Sequence, residues 1–305
     1  MSAEARSYLS TALDTIEKRS LMRHEVDWAQ VRSEVFSHAD GARNPEDTYG
    51  AIRSAVSLLH DGHSGFFAPE QAEELEDPVE SFDGLRGRSL EGRLGYVSLP
   101  GVQGAEQSYE QYVRRGRKAV AEADRSQACG WVVDLRRNRG GNMWPMLAVG
   151  APMLGDGKVG GFVDSDGERS VWTVEDGSPR YDGESVDRPA GDPVSNGHPP
   201  VAVLTGRATA SSGEAVVVAF RGRPDTRFFG ESTHGVPTGN VPHRLSDGAI
   251  LNLTEAKFLD RTGRMYDAPI PPDEEVFTER RTVGTSRDRV LEAAKNWLAE
   301  RPVCQ

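Results

Sequence analysis

The chain has 305 residues, 37% of them apolar, and its 36 Lys and Arg against 47 Asp and Glu give a formal net charge of −11. That length and apolar content can build one large domain or two smaller ones, while no stretch approaches the roughly 20 apolar residues of a membrane span. The negative balance repels phosphate backbones and argues against nucleic acid as a partner.

The first residues, with Glu4, Arg6, Asp14, Glu17, Lys18 and Arg19 and no apolar block, do not read as a secretory leader. Cys129 and Cys304 make neither a framework nor a metal spacing and read as two reduced thiols. Both observations set the expectation of a cytoplasmic protein.

Residues 1–60 read as helical. Tyr8, Leu9, Leu13 and Ile16 recur at near-helical spacing, Asp27 can cap a second helix through Trp28, Val31 and Val35, and Asn44-Pro45 opens a third. A small helical subdomain over 1–68 is expected, ending in the turn-like His60-Asp-Gly-His-Ser-Gly65. Residues 69–92 are acidic and read as an irregular, solvated connector. Beyond them a core over 93–305 alternates strands and helices. Leu94–Pro100 and Trp131–Leu135 read as strands, Glu106 to about Asp124 and Met143–Leu154 as helices. That rhythm implies crossover units and an α/β fold with a mainly parallel or mixed sheet. Residues 155–200, dense in Gly, Asp, Ser and Pro, read as an inserted hairpin or flap. Val201–Thr205 resumes the pattern as a buried strand, a helix follows through Phe220, and Arg227–Gly230 is a further strand. Residues 241–259 read as a hairpin turning at Ser246-Asp-Gly248, Ile270-Pro-Pro-Asp273 as a rigid extended path, and Ser286 onward as a closing helix.

Ser211 falls at the turn between the strand ending at Thr205 and the helix that follows. There a hydroxyl can stand clear of the backbone while free helix N–H groups face a developing negative charge. Ser211-x-x-Glu214 is equally a capping box, so a plain helix cap is the competing explanation. Acyl transfer needs a nucleophile, a base and donors aimed at the oxyanion. Ser211 is the candidate nucleophile with Ser212 as fallback, and His63 on its glycine-flanked turn is the candidate base with His234 as rival. The N–H of Ser212, with Gly140 or Gly141, could form the oxyanion hole. Glu214 would steady the serine loop, and Asp61, Glu231 or Glu275 could orient His63. His60 and His63 could instead share a metal, although no third ligand stands out, so neither metal nor cofactor is expected.

Asp61-Gly-His63, Tyr96-Val-Ser-Leu-Pro100, Asp134-Leu-Arg-x-Asn-x-Gly-Gly141, Thr209-Ala-Ser-Ser-Gly-Glu214, Gly230-Glu-Ser-Thr-x-Gly235 and Ile270-Pro-Pro-Asp273 occur in this order. From about residue 45 to 280 the chain resembles the C-terminal-processing (tail-specific) serine peptidases. Many members use a Ser–Lys dyad, but the matching position here is Val236, and no lysine occurs between Lys158 and Lys257. The resemblance is better to the Ser–His branch of the tricorn core and the nisin-resistance protein. It implies His63 as base, Ser211 as nucleophile and a peptide or protein substrate. The stretch between His63 and Tyr96 is too short for the PDZ domain of many relatives.

Overall fold

A computed structural model describes residues 1–77, 79, 81–186, 194–277 and 279–305. Helix α1 (Ala3–Arg19) starts where the Ser2 side chain accepts the Ala5 N–H, and α2 (Trp28–His38) where Asp27 accepts that of Gln30. Such caps satisfy donors that have no partner inside the helix. A 3₁₀ turn behind Pro45 leads into α3 (Tyr49–Ser57), followed by strand β1 (Gly65–Phe67) and helix α4 (Pro69–Glu76).

The expected irregular connector over 69–92 is corrected here. Pro69 suits a first helical turn, and the Gln71 side chain reaches back to the Ala68 N–H at 3.1 Å. Strand β2 (Arg86–Leu90) then pairs antiparallel with β3 (Leu94–Ser98). An exposed helix and an edge strand need little apolar content, so composition alone concealed both.

Helix α5 (Glu106–Ala123), strand β4 (Gly130–Asp134) and helix α6 (Met143–Leu154) follow as read from the sequence. The inserted segment carries β5 (Gly157–Asp164), β6 (Arg169–Glu175), β7 (Ser178–Tyr181) and β8 (Glu184–Ser185), more strand than its two short apolar pieces indicated. Residues 187–193 of that segment lie outside the described residues. Then come β9 (Val201–Thr205), α7 (Ser212–Phe220), β10 (Thr226–Gly230), β11 (Thr238–Arg244), β12 (Ile250–Asp260), β13 (Met265–Tyr266), β14 (Glu274–Glu275) and α8 (Arg289–Ala299).

The chain divides into two compact units, one of Met1–Asp77, Val163–Arg169 and Thr238–Lys257, the other of the remainder. This differs from a helical subdomain closing at residue 68. In the first unit β12 pairs antiparallel with both β1 and β11, with Leu251 opposite Phe66 and Leu253 opposite Val241. Leu251 and Leu253 are buried with Leu9, Leu13, Ile16 and Ile52 in one apolar cluster. The N-terminal helices therefore find their core in a hairpin from far along the chain.

In the second unit a six-stranded sheet runs in the order β14-β10-β9-β4-β3-β2. All its pairings are parallel except that of β2. Successive side chains of a strand point to opposite faces. Trp131, Val133, Val201 and Val203 join the cluster that holds Tyr112 of α5, Leu147 of α6 and Val217 of α7. Val132, Ala202 and Leu204 join the cluster that holds Leu291, Ala294 and Leu298 of α8. Coverage of both faces explains why these strands read as unbroken apolar runs.

Cys129, just ahead of β4, is disulfide-bonded to Cys304, just beyond α8. This corrects the expectation of two reduced thiols. The partners lie 175 residues apart, and only the packing of α8 on the sheet brings them together. Disulfides persist in oxidising surroundings, so the cysteines no longer support a cytoplasmic setting.

Candidate active site

The parallel strands β4 and β9 end side by side, with Asp134 opposite Leu204, and both chains turn at that edge. In open α/β sheets, ligands bind beyond the carboxyl ends of such strands. After β9 the chain closes a tight turn: Thr209 Oγ1 accepts the Gly206 N–H at 3.1 Å and donates to the Leu135 carbonyl at 2.9 Å. The Ala210 N–H donates to the Asn138 carbonyl at 3.0 Å. Ser211 follows with φ 53° and ψ −120°, a left-handed conformation that a non-glycine residue adopts at a cost and that clusters at functional sites.

Only half of the expected capping box is made. The Glu214 carboxylate accepts the Ser211 N–H at 2.8 Å, but the Ser211 hydroxyl caps nothing and makes no hydrogen bond among the described residues. Half-buried Ser211 is therefore not consumed by the helix. The fallback, Ser212, donates its hydroxyl to the Gly141 carbonyl and is buried.

Glu214 is fully buried and gathers four donors: the Thr233 hydroxyl at 2.6 Å and the N–H groups of Gly235, Val236 and Ser211 at 2.9, 3.0 and 2.8 Å. Burial pushes its carboxyl up, against the downward pull of those bonds. Thr233 in turn accepts the Ile270 N–H at 2.8 Å. One carboxylate thus fixes the serine turn and the Thr233–Val236 loop, which is steadier support than the sequence alone indicated.

The glycine pair sits on the loop after β4. Fully buried Asn138 donates to the Leu99 carbonyl at 3.0 Å and accepts the Gly140 N–H at 2.9 Å. Gly140 has φ +97°, and a Cβ built there would lie 2.9 Å from Ser211 Cβ and 3.0 Å from the Ala210 carbonyl oxygen. Only glycine allows this approach. Because the Gly140 N–H is committed to Asn138, the donors left at this edge are those of Gly141 and Ser212, which have no hydrogen-bond acceptor among the described residues.

Below the loop, Arg136 is clamped between two carboxylates. It bonds Asp134 at 3.0 and 2.7 Å and Asp288 at 2.8 and 2.8 Å. Tyr96 adds its hydroxyl to Asp134 at 2.8 Å. Burial alone would raise the Asp288 carboxyl; its bonds to Arg136 and to the Gly284 and Leu291 N–H groups outweigh that and hold it below the usual range. Asp288 also caps α8.

His63 lies in the first unit. The Asp61 carboxylate accepts the N–H groups of His63 and Ser64 at 2.9 and 2.8 Å and the Ser64 hydroxyl at 2.5 Å. It thereby shapes the turn. The ring's Nδ1 meets Thr238 Oγ1 at 2.7 Å, and the His63 carbonyl accepts from Asn240 Nδ2 at 2.9 Å. Thr238 and Asn240 were not foreseen, since only the pairing of β11 with its neighbours brings them to residue 63. Glu231 binds Arg207 at 2.9 Å, and Glu275 lies in β14. His234 is exposed, with its N–H on the Thr209 carbonyl at 2.8 Å. His60 sits outside any helix with φ 52°. Among the described residues no group of three or more His, Cys, Asp or Glu side chains is placed to hold a metal ion.

The model of peptidase family S41 matches residues 93–276, more than half of the chain. The chain belongs to peptidase family S41. It is a serine peptidase of that family. It is similar to the nisin-resistance protein of Lactococcus lactis subsp. lactis, 25% identical over 269 residues that cover 88% of this chain and 82% of that one. It is also similar to the chloroplastic carboxyl-terminal-processing peptidase 2 of Arabidopsis thaliana, 26% identical over 172 residues, which span 53% of this chain and 30% of that longer protein. Among solved structures, a lipoprotein from Streptococcus agalactiae shares the fold with a TM-score of 0.76, 23% identity and coverage of 98% and 97% of the two chains. The photosystem II D1 C-terminal processing protease shares it at a TM-score of 0.64 and 17% identity, over 90% and 94% of the two chains.

Proposed function

We propose that this S41 peptidase is an endopeptidase working through a covalent acyl-enzyme, with Ser211 as nucleophile and His63 as base. Ser211 Oγ attacks the scissile carbonyl while His63 Nε2 takes its proton; the imidazolium then protonates the leaving amine, and the C–N bond breaks. Water, deprotonated by the same ring, cleaves the ester and releases the new carboxylate. The N–H groups of Gly141 and Ser212 hold the tetrahedral oxyanion, a kind of contact typically contributing about 2.7–4 kcal/mol per donor. Thr238 Oγ1 accepts from Nδ1–H and holds the ring, with Nε2 as the atom that takes the proton.

One observation carries the reading: a serine at left-handed φ whose hydroxyl escapes its own capping box beside a glycine pair. The test is the adduct left by a fluorophosphonate probe. A mass shift on the tryptic peptide that contains Ser211, lost in Ser211→Ala, is expected. Labelling of Ser212 alone, or none of a folded protein that cleaves peptides, would overturn the assignment.

A further inference from the structure

The second unit holds a cavity of about 880 Å³ at the carboxyl ends of β4, β9 and β10, bordered by Thr205 to Ala208, the residues that lead into the serine turn. Its lining combines apolar Val276, Val283 and Val290 with Arg137, Arg139, Arg207 and Arg281. So many guanidinium groups in one cavity stand out in a chain of net charge −11.

The loop explains the arrangement. Burial alternates along it: Arg136, Asn138 and Gly140 are buried, while Arg137 and Arg139 are exposed. Asn138 must point inward to hold Leu99 and Gly140, so its two neighbours are turned outward together. Arg136, which also borders the cavity, is used up by Asp134 and Asp288. Arg207 is 82% exposed and shares Glu231 at 2.9 Å, and Arg281 pairs with Glu279. Arg137 and Arg139 have no ion pair among the described residues. Two uncommitted guanidinium groups therefore face one cavity, one and three residues ahead of the glycine that touches Ser211. Guanidinium groups in this setting suit the flat fork of a carboxylate.

We infer that this cavity is a substrate subsite for a peptide carboxylate, in which Arg137 and Arg139 bind either the chain's α-carboxylate or an acidic side chain close to the scissile bond. The inference rests on Ser211 as the reacting centre. An acidic surface with a local arginine cluster selects an anionic group at one point of the peptide.

The test separates binding from catalysis. Ser211→Ala protein is titrated calorimetrically with an acetylated octapeptide of alternating alanine and glycine in three forms: C-terminal amide, free C-terminal carboxylate, and amide with one central glycine replaced by glutamate. At least one anionic form should bind about tenfold or more tightly than the amide. That advantage should vanish in Arg137→Ala/Arg139→Ala and survive in part in Arg137→Lys/Arg139→Lys. Whichever anionic form gains identifies the source of the carboxylate. Equal binding of all three forms, no binding by any, or an advantage that persists in the double alanine variant overturns the inference. Mass spectrometry of the recovered peptide reports turnover separately, so cleavage by the Ser211→Ala protein would count against the nucleophile and leave the subsite result standing.

Discussion

Glu214, buried at the start of α7, gathers four donors from two segments, whereas Asp61 gathers three from His63 and Ser64, two and three positions further along. The serine turn is thus a tertiary knot, in which the Asn138 loop and the Thr233–Val236 loop both set the backbone of residues 209–214. The histidine turn is a local Asx-type turn that shapes its own backbone, and a hydroxyl on β11 meets its ring. Disturbing the first should cost stability along with activity, because its bonds are buried. Disturbing the second should change the chemistry with little effect on folding.

The sharpest contrast comes from the two reacting groups. Ser211→Ala and His63→Ala should each lower kcat by about 10⁴-fold or more with thermal midpoints near that of the parent, as progress curves and scanning calorimetry would read. If His234→Ala produced the large loss and His63→Ala did not, the histidine turn would have no part in catalysis.

Next in size is the clamp beneath the glycine loop. Asp288→Ala removes one carboxylate of a buried pair and should cost about 3–5 kcal/mol in urea unfolding. Its pH dependence has a definite sign. The folded Asp288 carboxyl is held below its unfolded value, so its contribution is present above about pH 3.9 and is lost as pH falls through the depressed folded value. The variant should therefore show a shallower acid destabilisation than the parent.

Glu214→Gln keeps the shape but turns an amide NH₂ toward N–H groups, and about 1–3 kcal/mol of destabilisation is expected at neutral pH. The sign here is opposite. Folding raises the Glu214 carboxyl, so its ionisation weighs against the fold as pH climbs past the unfolded value, and that penalty is absent once pH drops below it. The difference between variant and parent should change across that interval, and a flat difference would show that Glu214 does not titrate with folding.

The smallest expected effect belongs to the histidine turn. Thr238→Val should lower kcat about three- to tenfold, the equivalent of one neutral hydrogen bond, with KM and the melting point nearly unchanged. Thr238→Ser, which restores the oxygen, should recover most of the rate, and a shifted kcat–pH profile in the valine variant would separate positioning from packing.

How far these regions could be read from sequence follows from the same contrast. Apolar runs covered on both faces identified β4 and β9, and Gly140-Gly-Asn142 and Ser211-x-x-Glu214 marked where α6 and α7 begin. Asp27 announced its own cap. The segment 69–92 was hidden because an exposed helix and an edge strand look like solvated loop. Which half of the capping box forms is decided at a turn where Glu214 takes the Ser211 N–H and the carbonyl of Asn138, far back in the chain, takes that of Ala210. Thr238 contacts a ring 175 positions earlier in the chain, and the mate of Cys129 follows it by the same interval. Contacts of that span have no local signature.

The Cys129–Cys304 bond encircles the glycine loop, the serine turn, the β11–β12 hairpin and the cap of α8 in a single covalent ring. A protease nick anywhere within the ring, for example at the exposed Ser246 of the hairpin tip, would leave both fragments joined. The nicked chain would run as one band on a non-reducing gel and as two after reduction. A cut ahead of Cys129, in the exposed stretch around Glu73 for instance, would release a separate fragment under either condition. Clipping of this molecule thus carries a positional stamp, readable from how each scar responds to thiol.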